Sequence, residues 1–289
     1  MTINPASPIK RHRATKTEIE RRREALSEIV AAMRPMTVRQ AFYQATVRGL
    51  VEKSEAGYAK IQTDLVLLRR TGELPYDWLA DNTRWQRKPR SYISIESALD
   101  ETARLYRKAM WADAGLYAEV WLEKDALSGV VLPVTAQFDV PLMVARGYAS
   151  LSFLHSAANY IAGLDVPTYI YHLGDFDPSG VNAGDAIERA LREMAPEAEI
   201  HFARLAVTPE QIRAWDLPTR PTKTSDSRAK GFGAISVELD AIDPGVLRGL
   251  VREAIERHLP PAQFAVLKAA EASEQAIIRQ LVEGIGAFS

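Results

Sequence analysis

The chain has no cysteine among its 289 residues. That excludes disulfides, zinc sites built on thiolates and cysteine nucleophiles. Histidine is sparse as well. His12, His155, His172, His201 and His258 are scattered without ligand spacing, and His172 reads as a core histidine with its hydrogen bonds satisfied. No apolar run reaches the roughly 20 residues that a membrane helix needs. The N-terminus lacks the apolar core of a signal peptide, so a cytoplasmic protein with no membrane partner is expected. There is no G-x-x-x-x-G-K-[ST] phosphate loop. Lys124-Asp-Ala-Leu-Ser-Gly holds one glycine where a dinucleotide fingerprint wants three, which weakens the case for a small-molecule α/β enzyme. No internal repeat stands out.

What is present is ordinary in bulk. Hydrophobic residues make up 47% and charged residues 25% of the chain, enough for a sizeable core. The length suits two domains. A net charge of −1 gives no overall hint of nucleic acid, but its distribution gives one. From Lys10 to Glu24 there are seven Lys/Arg and three Glu. This is either a solvated helix or a basic arm that neutralises phosphates.

Helical periodicity begins near Thr17 and stops at Pro35. Thr37 caps a helix from Val38 to Leu50. Another runs from Ala56 to Arg70, and Thr71-Gly-Glu-Leu-Pro breaks it. The pair resembles a helix-turn-helix, with Lys60, Arg69 and Arg70 on the second helix as DNA-contacting candidates. Arg84, beside Trp85, Arg87 and Lys88, suits a wing against DNA backbone, or an ordinary exposed loop. A further helix ends near Ala112, and the domain boundary falls at about Asp113–Gly115. Beyond it, strands at Glu119–Glu123, Leu142–Arg146, Thr168–Leu173 and Glu199–Leu205 alternate with helices at Ala126–Gln137, Ser150–Gly163 and Val181–Met194. Alternation of this kind predicts a mainly parallel sheet covered on both faces. Residues 216–236 read as a loop, followed by helices to His258 and over Gln263–Glu283. The expected fold is therefore α/β with an α-rich N-terminal part. Residues 1–30 form a basic arm and helix, 31–113 a DNA-binding domain, and 114–289 an α/β domain with C-terminal helices.

Three carboxylates fall at strand ends. Glu123 closes the first strand; Asp175 and Asp177, in Gly174-Asp-Phe-Asp-Pro-Ser-Gly, follow the third. Residues i and i+2 of extended chain point the same way, and ligands of open α/β sheets bind beyond such ends. Hard oxygen donors without thiolates favour Mg²⁺ or Mn²⁺. The competing reading is that the two aspartates only cap the next helix. Lys124 beside Glu123 either contacts phosphate or is simply solvated. Tyr43, in Thr37-Val-Arg-Gln-Ala-Phe-Tyr, is either a core residue beside Phe42 and Val47 or a nucleophile. A phenol with pKa about 10 is only about 0.1% ionised at neutral pH, so it needs help. Arg39, one turn earlier on the same face, can supply a cation.

Taken in order, these segments resemble a known family. Glu at the first strand end, Arg146-Gly-Tyr after the second and Asp-x-Asp-Pro-x-Gly after the third look like a Toprim domain. Arg39-x-x-Phe-Tyr43 on a winged-helix domain ahead of it resembles the A subunit of DNA topoisomerase VI and the meiotic double-strand-break transesterase. The acidic Ser236-Val-Glu-Leu-Asp-Ala also fits, and the resemblance spans roughly Met36 to Leu250. It implies a short A-like enzyme that breaks and rejoins double-stranded DNA. Tyr43 would be the nucleophile and Arg39 its partner, with Mg²⁺ on Glu123, Asp175 and Asp177. It further implies a nucleoid-associated homodimer in which the Tyr of one protomer meets the metal of the other. An ATPase subunit of the B type is a candidate partner. Arg228, in the loop after Leu217, is a weaker DNA contact. The alternatives are a Toprim metal nuclease that uses water, and a DNA-binding module without catalysis.

Overall fold

The computed structural model describes residues 15–80, 90–222 and 232–286. Local chemistry sets each helix start. Thr15 and Glu18 form a capping box at the head of α1 (Lys16–Met33), and Thr37 and Gln40 do the same for α2 (Val38–Val47). Ser54 caps α3 (Glu55–Arg70). Buried Leu26, Ile29 and Val30 of α1 meet Ala41 and Phe42 of α2 and Ile61 and Leu65 of α3 in one apolar cluster. A short parallel bridge between Met36 and Leu79 closes the bundle.

The next helix, α4 (Ile95–Leu105), is shorter than the sequence suggests. It stops at Tyr106 rather than near Ala112. Downstream groups bind the long C-terminal helix α10 (Pro261–Gly286) instead of continuing the helical ladder. Tyr106 donates to Glu274 at 2.6 Å, and the Lys108 amide donates to Glu271 at 3.0 Å.

Four strands then form one parallel sheet: β1 (Tyr117–Leu122), β2 (Leu142–Val144), β3 (Thr168–Leu173) and β4 (Ile200–Ala206), in the order β2-β1-β3-β4. Alternation along β1 divides its side chains. Val120 and Leu122 join the cluster that includes α5 (Ser128–Gln137) and α9 (Pro244–Glu256). Trp121 faces the other cluster, made with α6 (Leu151–Ala162) and α7 (Pro178–Met194). The chain leaves β1 toward β2 on one side and returns to β3 on the other. The gap between the C-terminal ends of β1 and β3 is thus a topological switch point, where ligands of such sheets sit.

The segment read as a loop holds two short strands among its described residues. A helix, α8 (Pro209–Ala214), precedes it, and β5 (Arg220–Pro221) pairs antiparallel with β6 (Ile235–Ser236). Phe176 and Val237 then exchange backbone hydrogen bonds of 2.8 and 2.9 Å, which lays residues 236–240 alongside the turn after β3. Among the described residues, no helix is long and apolar enough to cross a membrane.

Candidate functional site

The turn after β3 is built around backbone. Asp177 caps α7 through the Gly180 amide at 2.8 Å, with Pro178 at the first helical position. The Asp175 amide donates to Glu123 Oε2 at 2.9 Å, tying the ends of β1 and β3 together. Gly180 is required by close approach. A Cβ there would stand 2.5 Å from the Asp175 carbonyl oxygen and 2.9 Å from Glu123 Oε2. Arg204, from β4, threads beneath the turn and donates to the carbonyls of Gly174, Asp175 and Val207.

Residues 236–240 bring two further carboxylates. Glu238 takes Arg39 on both oxygens, at 2.6 and 3.2 Å, and Arg220 at 2.9 Å. The Lys124 ammonium lies 2.8 Å from Asp240, 3.0 Å from Asp175 and 3.6 Å from Glu238. Asp240 also accepts from the Thr37 hydroxyl at 3.1 Å, so the N-cap of α2 is fastened to the same strip. Arg220 reaches Asp177 at 3.0 Å. Lys124 is therefore not a solvated lysine: it is three-quarters covered and bridges three carboxylates.

These partners set the ionisation. Burial alone would raise Glu238, but the hydrogen bond from Arg39 and the charges of Lys124 and Arg220 outweigh it and hold the carboxyl at about 2. Burial opposes the charge on Lys124, and Asp240, Asp175 and Glu238 overcome it, so the ammonium stays protonated. Glu123 is pushed up by burial and then by the like charge of Asp175. Asp175 is pushed up by burial, with Lys124 working against it.

Tyr43 lies beside this network, on the buried side of α2. It is 4% exposed, its ring is 5.6 Å from Phe42, and Lys53 stands over it at 5.3 Å. Val47, the other packing partner suggested by the sequence, is instead largely exposed. Burial, then the charge of Glu238, drives the phenol up to about 12, against the pull of Arg39 and Lys124 from its own chain. In this form Tyr43 is a neutral, covered hydroxyl.

The structure thus brings Arg39, Tyr43, Glu123, Lys124, Asp175 and Asp177 into one neighbourhood. Arg69 lines a cavity of about 590 Å³ in front of it. Lys60 and Arg70 are exposed on α3 and do not line that cavity. Arg84 and Arg228 lie outside the described residues. His172 corrects the sequence reading: it is buried in the core, but neither ring nitrogen has a hydrogen-bond partner among the described residues. Burial, then Arg204, lowers it to about 3, so the ring is neutral. Arg220, Glu238 and Asp240 are site residues that the sequence did not single out. The acidic Ser236–Ala241 segment is the signal for Glu238 and Asp240; Arg220 has none in the sequence.

The oxygen-only donor set suits a hard divalent cation. In the arrangement described, however, Asp175 is engaged by Lys124 and the Leu239 amide, and Asp177 by Arg220 and Gly180. Among the described residues, no group of three acidic or histidine side chains is set to hold a metal ion. The donors fit the ion; their present partners would have to yield to it. No protein-family model matches this chain, and no curated protein matches it.

Proposed function

We propose that the protein breaks and rejoins DNA by transesterification, as a short relative of the topoisomerase VI A subunit with a winged-helix part ahead of a Toprim part. One observation carries the reading. Arg39, four residues before Tyr43, is joined through Glu238 and Lys124 to the carboxylate-bearing ends of β1 and β3. Arg39 and Glu238 are 199 residues apart in sequence, so only the fold assembles this combination.

In the reaction, the Tyr43 oxygen forms a bond to phosphorus and the bond from phosphorus to the 3′ oxygen breaks. The phenolic proton is lost and the 3′ oxygen gains one. The count of phosphodiester bonds is unchanged, and rejoining is the same step reversed. Arg39 and Lys124 are placed to balance charge on the transferring phosphate. A Mg²⁺ or Mn²⁺ ion, held by Glu123, Asp175 and Asp177, would add Lewis-acid stabilisation when bound. The resemblance also implies a homodimer that pairs two such sites across a two-fold axis.

The burial of Tyr43 favours a second reading, a metal-dependent nuclease in which water attacks. A covalent-adduct assay separates the two. Supercoiled plasmid is incubated with protein and divalent metal, quenched with detergent and run with and without protease, beside Tyr43→Phe. Protein-linked nicks or breaks that vanish in the variant support transesterification. Free ends that persist in Tyr43→Phe support hydrolysis. Binding without cleavage, with every metal tried, sinks both and leaves a DNA-binding module.

A further inference from the structure

The cavity in front of the network lies between α2, α3 and the ends of β1 and β2. Four cations line it: Arg39, Arg69, Lys124 and Arg146. They come from four separate parts of the chain. Its volume, about 590 Å³, is that of a site for one nucleotide-sized ligand. The carboxylates on its wall are already engaged. Asp125 pairs with Arg146 at 2.8 Å, and Asp240 holds Lys124 and Thr37. Glu123 accepts the Asp175 amide.

Two of the four cations look both ways. Arg39 and Lys124 line the cavity, yet on their inner side both meet Glu238. The Arg39 side chain is 38% exposed while that of Glu238 is 6% exposed. Glu238 fills the fork of Arg39 on two oxygens, the geometry in which a guanidinium also takes phosphate. Arg39 further lies over the Tyr58 ring at 5.3 Å. Arg69, on the last turn of α3, is held by the Leu65 carbonyl and lies over Tyr76. Arg146 is 62% exposed and follows β2 at the rim.

We infer that this cavity receives one phosphodiester group of a DNA strand, on Arg39, Lys124, Arg69 and Arg146, and that Glu238 holds Arg39 in its absence. The inference rests on the DNA reading above and adds a site and a competition to it. Strand entry takes Arg39 from Glu238. The same exchange loosens the clasp between α2 and residues 238–240 that covers Tyr43. The closed form is then a resting state, with a carboxylate holding the guanidinium that a phosphate will take.

The test is binding without chemistry. A short fluorescein-labelled duplex is titrated in EDTA by anisotropy over a range of salt, with the fold of each variant checked by circular dichroism. Glu238→Gln should bind roughly fivefold to tenfold tighter, because a competitor for the cations has lost its charge. Arg69→Ala and Arg146→Ala should each bind roughly tenfold more weakly. Each should also lower the slope of log affinity against log salt by about one. A folded Glu238→Gln that binds no tighter overturns the competition, and arginine variants that bind like wild type overturn the site. Deoxyadenosine monophosphate competing as well as the duplex would mark a free-nucleotide site and overturn the strand assignment. None of these readouts depends on Tyr43. Absence of a covalent adduct beside the expected binding pattern would remove the transesterase reading alone.

Discussion

Two clusters of buried charge differ in kind, and their contrast separates holding from poising. Between α1 and α3, Asp64 is 2% exposed and takes Arg22 at 2.7 Å and Arg23 at 2.9 Å. One carboxylate meets two guanidiniums, and the outer edges of both reach toward water. Around the ends of β1 and β3 the balance is reversed. Glu123, Asp175, Asp177, Glu238 and Asp240 face Arg39, Lys124, Arg204 and Arg220. The first cluster is locally satisfied and fastens two helices. The second carries excess negative charge, which a fold tolerates only at a cost in stability. On the proposed reading, that excess suits a region that exchanges partners, its cations passing to a phosphate and its carboxylates to a metal.

Lys124 is where the two clusters should differ most. Lys124→Met leaves Asp175 and Asp240 buried without their shared cation. Loss of one partner from a buried pair costs about 3–5 kcal/mol. Urea unfolding in EDTA should show a drop of that order, and millimolar Mg²⁺ should restore more stability to the variant than to the wild type. Equal Mg²⁺ response in the two proteins would mean that the carboxylates do not compete for cations. Gly180→Ala comes next. Its Cβ would press on the Asp175 carbonyl at 2.5 Å, an overpacking cost of about 1–3 kcal/mol. Cleavage should fall further than stability does, because Glu123 and Asp175 move with the turn.

Acid separates the clusters through Glu238. Its folded-state value, about 2, lies below the ordinary glutamate value of about 4.3. The stability it contributes is therefore complete above about pH 5 and is lost as pH falls through about 2. With allowance for the part-exposed Arg39, that amounts to about 2 kcal/mol. Glu238→Gln should flatten the acid limb of the unfolding midpoint against pH. A limb identical to that of the wild type would show that Arg39, Lys124 and Arg220 do not hold this carboxylate.

How much of this the sequence revealed depends on how local the cause is. Thr37, Asp177 and Asp243-Pro-Gly announce helix starts, because capping needs only neighbours in the chain. The four strands and their parallel order follow from alternation with helices, and Glu123, Asp175 and Asp177 fall at strand ends as expected. The end of α4 was misplaced because Tyr106 and Lys108 answer to Glu271 and Glu274, more than 160 residues away. The acidic segment that holds Glu238 and Asp240 is visible, but its place in the site is not, and Arg220 gives no signal at all, for the same reason. They enter the site through the Phe176–Val237 bridge and the β5–β6 pair, which no periodicity announces. The basic run at the N-terminus was read as a solvated helix or a phosphate-binding arm. Lys10 to Arg13 lie outside the described residues, and Lys16 and Arg21 are exposed, but Arg22 and Arg23 point inward to a buried carboxylate; its signal is Asp64, the charged residue on the covered face of α3.

That pair gives the smallest expected effect and the sharpest control. Asp64→Asn keeps the shape of the side chain and removes its charge. Arg22 and Arg23 are 12% and 31% exposed, so each has water within reach and avoids the full penalty of a buried, unpaired cation. A loss of about 1–2 kcal/mol in urea unfolding is expected. Affinity for the labelled duplex and formation of the covalent adduct should both match wild type, since neither arginine lines the cavity. A rise in affinity with a salt slope steeper by about two would say that Asp64 also masks phosphate-binding arginines. The fastening of α1 would then be a second clasp of the Glu238 kind, and the distinction between the two clusters would fail.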